Sequence, residues 1–443
     1  MYPYGRFLSL AAAAVALASA GDVQTPAAGA SAGKSFVDWS PADRLPRWLQ
    51  VGVQIRGRVE APSGTSAFNS GSDGYYLSRI RVDLAIEPVS WLRLFAQAQD
   101  ARVGGYNSAQ APATIYNPMD LRQGYVAVDH EGAVHVRVRA GRQELLFGGE
   151  RVIGPADWGI SRTFDAVDLL LDGGRAKVDL FAGSPVLIDN ARFDRHKPGE
   201  HLYGAYGSVR RVLPSMDVEP YLLFKQTLLV KSETAIAGDG LVVSPGVRIF
   251  GKAPGRLDYT VEALLQRGSY SADTIVAGAM SYVAGWTIRN TALQPRISLE
   301  YNYASGDGAG KDGRRETFDQ LYPSNHGYYG MIDQFGWENL KNRRMGFDCA
   351  PSKQLKLRAD FNQFYLATVQ DSLYNSSGSA VVLNRGATSN RIGAEINGVA
   401  LYQWSRIWKF GAGYGHLFAG NYLKQSKLGF GYTYPYLMFL GNY

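Results

Sequence analysis

Residues Arg296–Tyr303 read R-I-S-L-E-Y-N-Y and open into a long polar loop: A-S-G-D at Ala304–Asp307, then T-F-D-Q-L-Y-P-S-N-H-G-Y-Y-G at Thr317–Gly330. Ile297, Leu299, Tyr301 and Tyr303 fall on one side of a two-residue period. Arg296, Ser298, Glu300 and Asn302 fall on the other. That period is a β-strand with one apolar and one polar face. The fold depends on what wets each face: a dry core and water, or lipid and a water-filled lumen.

The same beat recurs along the chain. Val51, Val53, Ile55 and Val59 alternate with Gln54, Arg56, Arg58 and Glu60. Ile80, Val82, Leu84 and Ile86 alternate with Arg79, Arg81, Asp83 and Glu87. Leu355, Leu357, Ala359 and Phe361 alternate with Lys356, Arg358, Asp360 and Asn362, and Ile392, Ala394 and Ile396 with Arg391, Glu395 and Asn397. Helical periodicity is absent. Tight links such as Pro88-Val89-Ser90 alternate with long ones such as Ala61 to Gly74, the rhythm of an up-and-down barrel with one short-turn end.

In a soluble sandwich the outer face is dominated by Thr, Ser and Lys. Here the polar face carries arginine set against carboxylate: Arg56, Arg58, Arg79, Arg81, Arg296, Arg358 and Arg391 with Glu60, Asp83, Glu262, Glu300, Asp360 and Glu395. Arginine's planar fork suits a fixed ion-pair lattice or bidentate capture of a carboxylate. These arginines and Glu300 are therefore expected to line a pore, with lipid against the aliphatic rows. A closed barrel satisfies every backbone group in lipid, which an open sheet cannot do. At ~9–11 residues per spanning strand, the chain holds about 16–18 strands, enough to leave an aqueous channel.

The beginning of the chain fits export. Arg6 precedes an apolar run from Phe7 to Ala18, then Ala18-Ser19-Ala20. That pattern is a signal peptide over 1–20, too short to span the ~30 Å hydrocarbon core as a helix. Residues 21–45, rich in Ala, Gly, Ser and Pro, are expected to be a flexible leader, with the barrel over 46–443. The lone Cys349 excludes an internal disulfide framework or a cysteine metal cluster. The net charge of +7 comes from scattered residues of an exported chain, which argues against a nucleic-acid partner. The sequence closes on an aromatic, Tyr443, as outer-membrane strands do; Pro435 lacks a ladder donor and is expected at a strand start or a bulge.

A charged segment interrupts the alternation. G-R-Q-E-L-L-F-G at Gly141–Gly148 leads through Glu150, Arg151 and Asp157 to R-T-F-D-A-V-D at Arg162–Asp168. It reads as a constriction or in-folded loop of opposite charges. Continuing the outward register of Val134–Ala140 puts Arg142 and Glu144 toward lipid unless a bulge intervenes. Together with Y-N-Y-A-S-G-D (Tyr301–Asp307), the Thr317–Gly330 element and I-G-A-E-I…G-Y-G-H-L-F-A-G-N-Y-L (Ile392–Leu423), this segment resembles the alginate-export family of outer-membrane β-barrels. The resemblance implies a transmembrane antiparallel barrel of 18 strands, with long extracellular loops, short periplasmic turns and an arginine-rich pore for an acidic polysaccharide. It implies pore-lining roles for Arg142, Glu144, Arg151, Arg162 and Asp165.

The function expected is a channel for an anionic solute or acidic polysaccharide, with no enzyme activity and no cofactor. Its expected partners are outer-membrane lipid, an anionic saccharide or small anion, and periplasmic secretion components. A general porin for small solutes is the alternative. An outer-membrane hydrolase built on Ser324, His326 and Asp333 is weaker, since no G-x-S-x-G elbow is present. An exported soluble β-rich carbohydrate-binding protein is the remaining rival.

Overall fold

The structure, a computed structural model, describes residues 45–65, 74–105, 111–288, 293–383, 386–426 and 431–443. The expected signal peptide, and the leader apart from Leu45, lie outside the described residues.

Eighteen long strands run in order. They are β1 (Leu49–Glu60), β2 (Tyr75–Val89), β3 (Leu92–Gly104), β4 (Asn117–His130), β5 (His135–Gln143) and β6 (Phe164–Asp172), then β7 (Ala176–Leu187), β8 (Glu200–Leu213), β9 (Met216–Lys231), β10 (Ala237–Ala253), β11 (Leu257–Tyr270) and β12 (Asp273–Thr287). The ring continues with β13 (Arg296–Ala304), β14 (Leu340–Cys349), β15 (Leu355–Leu366), β16 (Arg391–Gln403), β17 (Trp408–Ala419) and β18 (Gly431–Asn442). Each pairs antiparallel with the next, and β1 closes on β18 from Gln54 opposite Asn442 to Glu60 opposite Tyr436. Among the described residues the ring has no open sheet edge, so lipid meets no unpaired backbone along it.

The two faces divide as the alternation predicts. Leu299 is 61% exposed, and Ile80, Val82, Val126, Val167, Leu265, Met345 and Leu437 are likewise on the outside. Arg58, Arg81, Glu262, Asn302, Asn342 and Glu395 are buried inside. Trp48, Trp91, Trp286 and Trp404 are all exposed near the short-turn end, an interfacial aromatic belt.

Several details differ from expectation. Two connections at the long-loop end are tight: β11 passes to β12 through Ser271 and Ala272 alone, and β9 passes to β10 through residues 232–236. A short helix, α1 (Asn421–Gln425), sits in the β17–β18 loop. Pro435 lies within β18 rather than at its start. It faces Ala61, in the gap between the two stretches that pair with β18, Gln54–Glu60 and Ser63–Thr65, and the Ala61 amide donates to the Pro435 carbonyl.

The lumen of the long-loop half is filled. Residues 144–163 and 305–339 fold inward, and Phe318, Tyr322, Tyr329, Phe335 and Trp337 pack against the inward side chains Phe164, Leu202, Leu223 and Phe364. An apolar core thus lies inside the barrel as well as the apolar band outside it.

Candidate functional site

Residues 144–163 leave β5 and cross the lumen. Their turns rest on left-handed backbone at Gly148, Glu150, Ala156 and Ser161. These turns deliver Asp157 to the inward arginines of β1 and β2. Arg79 grips the Asp157 carboxylate with both terminal nitrogens, at 2.9 and 3.1 Å, and Arg81 adds a bond of 2.6 Å. Arg56 donates to the carbonyls of Asp157 (2.8 Å) and Gly159 (2.9 Å). Arg58 donates to the Trp158 carbonyl at 2.7 Å, and its guanidinium lies 3.9 Å from the centre of the Trp158 ring. Arg122 of β4 pairs with Glu144 and donates to Ser161 Oγ at 2.6 Å. All five arginines are buried. Burial pushes the Asp157 carboxyl up, but Arg79, Arg81 and Arg56 more than reverse this and hold it well below the usual carboxylate range.

The same loop carries a cation to the opposite wall. Arg151 bonds to Glu300 of β13 at 2.9 Å, to Asn302 at 3.1 Å and to the Tyr329 hydroxyl at 3.1 Å, and lies 3.9 Å from Glu262 of β11. Its guanidinium stacks 4.1 Å from the Tyr328 ring centre. β2 and β11 stand half a ring apart, so residues 144–163 form a strap across the lumen, anion at one end and cation at the other.

The second loop, 305–339, is seated on wall charges of both signs between β8 and β16. Tyr322 donates to Glu200 at 2.7 Å, and Lys225 pairs with Asp319 at 2.7 Å. Glu395 of β16 accepts the Met331 amide at 2.7 Å. Gly330 lies over that carboxylate with φ of 89°, where an added Cβ would run into the Glu395 oxygens, so the position is fitted to glycine. The loops interlock through backbone bonds: Gly154 to the Tyr322 carbonyl, Tyr322 to Val152 and Ser324 to Glu150, each 2.9 Å. Trp158 stacks on His326 with centroids 3.9 Å apart, and His326 is bonded to Asp333 at 2.7 Å.

Two loop carboxyls have displaced affinities for protons. Burial raises Glu150 to about 7, opposed by its bond to Ser324 and helped by Glu144 and Asp157. Burial, then the nearby Asp319, raises Glu338 to about 8. Arg162, at the strap's end, donates to the Gly154 and Pro323 carbonyls, and burial lowers its value to about 10.

Toward the short turns the inward charges are more exposed. Arg296 pairs with Asp258 (2.6 Å) and Asp348 (3.6 Å), and Arg358 with Asp348 (2.8 Å). Deeper in the lumen Arg344 bridges Glu300 and Asp360 at 3.4 and 3.2 Å.

Arg56, Arg58, Arg79, Arg81, Glu144, Arg151 and Arg162 are thus brought together with the strap, and Glu300 receives its far end. Arg296 and Arg358 form a separate inward group. Three residues expected in the pore lie elsewhere. Arg142 and Asp165 pair with each other at 2.8 Å on the outward face, in register with Ala140 and Val167; no bulge corrects β5, and the pair sits where the strands leave the apolar band. Arg391 is opposite the outward Tyr365, because a bulge in β16 after it shifts the register that Ala394 and Ile396 keep. Arg122 is missed by sequence reasoning, and Asp157, Glu262 and Glu395 stand there only as members of the charged segment or the polar face. A bulge between β3 and β4 hides Arg122, turning it inward out of period.

A family model described as Alginate export matches residues 47–428, nearly the whole described barrel. The chain belongs to the alginate-export family. With the closed 18-strand ring, that membership makes it a porin-like channel of the outer membrane. Its fold is similar to solved Pseudomonas aeruginosa structures. OccK3 (OpdO) has a TM-score of 0.60 at 9% identity, over 89% of this chain and 95% of that one. OccD3 (OpdP) has 0.59 at 11%, over 90% and 91%. Acinetobacter baumannii OccAB4 has 0.57 at 9%, over 91% and 100%. At such identities the likeness speaks for the fold alone. Compared by sequence with curated proteins, this alginate-export chain has no match.

Proposed function

We propose that this alginate-export protein conducts an anionic solute, in the first place an acidic polysaccharide, through a lumen whose selective element is the arginine wall under the strap. The observation that carries the reading is the convergence of Arg56, Arg79 and Arg81 on Asp157, with Arg122 beside them on Glu144. Guanidiniums outnumber carboxylates there, so the wall carries a net positive charge that lowers the barrier to a passing carboxylate or sulfate. Arg151, Arg162 and Glu300 then act as the frame of the constriction, and Arg296 and Arg358 as charges of the vestibule. Family membership supports alginate-like cargo, and the paired carboxylates keep any one site from holding it too tightly.

An export signal over 1–20 and a leader over 21–45 belong to the same reading, as do periplasmic partners that hand over the polymer. No hydrolase role is assigned. Ser324 Oγ is committed to the Ala156 amide and to Glu150, while His326 is held by Asp333 and Trp158. The test is reversal potential in planar bilayers under a salt gradient, with and without an oligouronate. Anion selectivity that Arg79→Glu and Arg81→Glu abolish is the expected result. A cation-selective wild-type pore overturns the reading in favour of a general porin.

A further inference from the structure

We propose that the outer face of β13–β16, at its long-loop end, docks the phosphorylated headgroup of a lipid in the outer leaflet. The register places three rows across these four strands. The lowest is Leu299, Met345, Phe361 and Ile396, each between 37% and 61% exposed, and is the edge of the hydrocarbon band. The next is Tyr301, Arg343, Gln363 and Ala394. The highest is Tyr303, Lys341, Tyr365 and Arg391. Within a few residues of each strand the surface thus passes from aliphatic to aromatic to cationic, the order of a bilayer from tails to headgroups.

The three cations are close enough to share one ligand. Arg343 and Lys341 are two residues apart on one face, about 7 Å, and Tyr365 separates Lys341 from Arg391 by one strand spacing on each side, about 5 Å each. Arg343 and Arg391 are exposed. Lys341 Nζ gives one proton to the Ala367 carbonyl at 3.2 Å and keeps two donors free. The Arg343 guanidinium lies 5.8 Å from the Tyr365 ring centre, which orients it along the surface.

Elsewhere on the outer face Arg267 of β11 stands singly, bonded to the Gln266 and Ala277 carbonyls, and two further arginines are neutralised. Outward Arg142 is paired with Asp165 and outward Arg102 with Asp100. Lys341, Arg343 and Arg391 have no carboxylate partner within ion-pair distance among the described residues. Unpaired forked cations above an apolar band, with tyrosines between them, match a phosphate that sits at the head of acyl chains.

The test is native mass spectrometry of the detergent-solubilised barrel, titrated with bis-phosphorylated lipid A, with the same lipid dephosphorylated, and with inorganic pyrophosphate. Wild-type protein is expected to retain phosphorylated lipid A, and Lys341→Gln/Arg343→Gln/Arg391→Gln to retain it at least tenfold less. Arg142→Gln is expected to match wild type, and Arg343→Gln alone to fall between. Heat-modifiable gel migration checks that each variant is folded. Equal retention by the folded triple variant, or equal retention of the dephosphorylated lipid, overturns the proposal. Pyrophosphate bound as tightly as the lipid overturns it too, since the patch is then a site for free anions.

Discussion

The two ends of the strap across the lumen are fixed by opposite arrangements of charge. At β1 and β2 the wall supplies the cations and the loop supplies one carboxylate, Asp157. At β11 and β13 the wall supplies the anions and the loop supplies one guanidinium, Arg151. At the first end Asp157 is the one carboxylate that Arg79 and Arg81 share, while Arg56 and Arg58 hold the backbone carbonyls beside it. The second is redundant, since Arg151 also has Asn302, a Tyr329 hydroxyl and the Tyr328 ring. The first end therefore depends more on one loop charge than the second depends on any one wall carboxylate.

The strongest attempt to break this comparison is Asp157→Asn. It leaves Arg79 and Arg81 buried without a counter-charge, at a cost of about 3–5 kcal/mol to the seat. The expected outcome is faster protease cleavage within 144–163 and a larger single-channel conductance. Unchanged cleavage means that the apolar core, not Asp157, holds the loop.

Alkaline pH comes next, and it acts on the loops away from the arginine wall. Glu150, at about 7, and Glu338, at about 8, are neutral in the folded loops at pH values where an unfolded glutamate is already ionised. Their contribution is whole below about pH 4.5 and is lost as pH rises through 7 and 8, on the order of 3 kcal/mol for Glu150. Open-channel time is expected to grow between about pH 5 and 9, and Glu150→Gln to flatten that rise. A wild-type response with the opposite slope defeats the assignment.

Glu300→Gln sharpens the far side. Arg151 keeps its other acceptors, so about 1–2 kcal/mol is lost and the strap stays seated. Cleavage as fast as in Asp157→Asn means that the two ends are alike after all. The smallest effect belongs to Arg142→Gln, which removes an outward ion pair worth about 0–1 kcal/mol and is expected to leave ion selectivity as in wild type. A change in reversal potential returns Arg142 to the conducting path.

Much of this architecture is written in local sequence. The alternation at Arg296–Tyr303 fixes which side chains meet lipid, since a strand's period of two leaves them no other choice. The charged segment from Gly141 to Asp168 announces a loop that leaves the wall. What the alternation hides are bulges: one residue too many turns Arg122 inward and sets Arg391 outward. At Arg142 the alternation holds and the side chain is outward; β5 has simply risen past the hydrocarbon there. The partners of the strap are hidden for a different reason. Asp157 meets Arg79 and Arg81, and Tyr322 meets Val152, across spans of chain over which no periodicity carries information.

The join between β1 and β18 has a consequence for how such a molecule is made. Val53 exchanges backbone hydrogen bonds with Tyr443, so the first strand of the ring waits for the last one to be synthesised. Until β18 arrives, both flanks of the growing sheet are raw, and a nascent chain has no finished wall to present to a bilayer. Assembly must therefore come after translation of the whole ring, with the exported polypeptide kept soluble and uncommitted in the meantime.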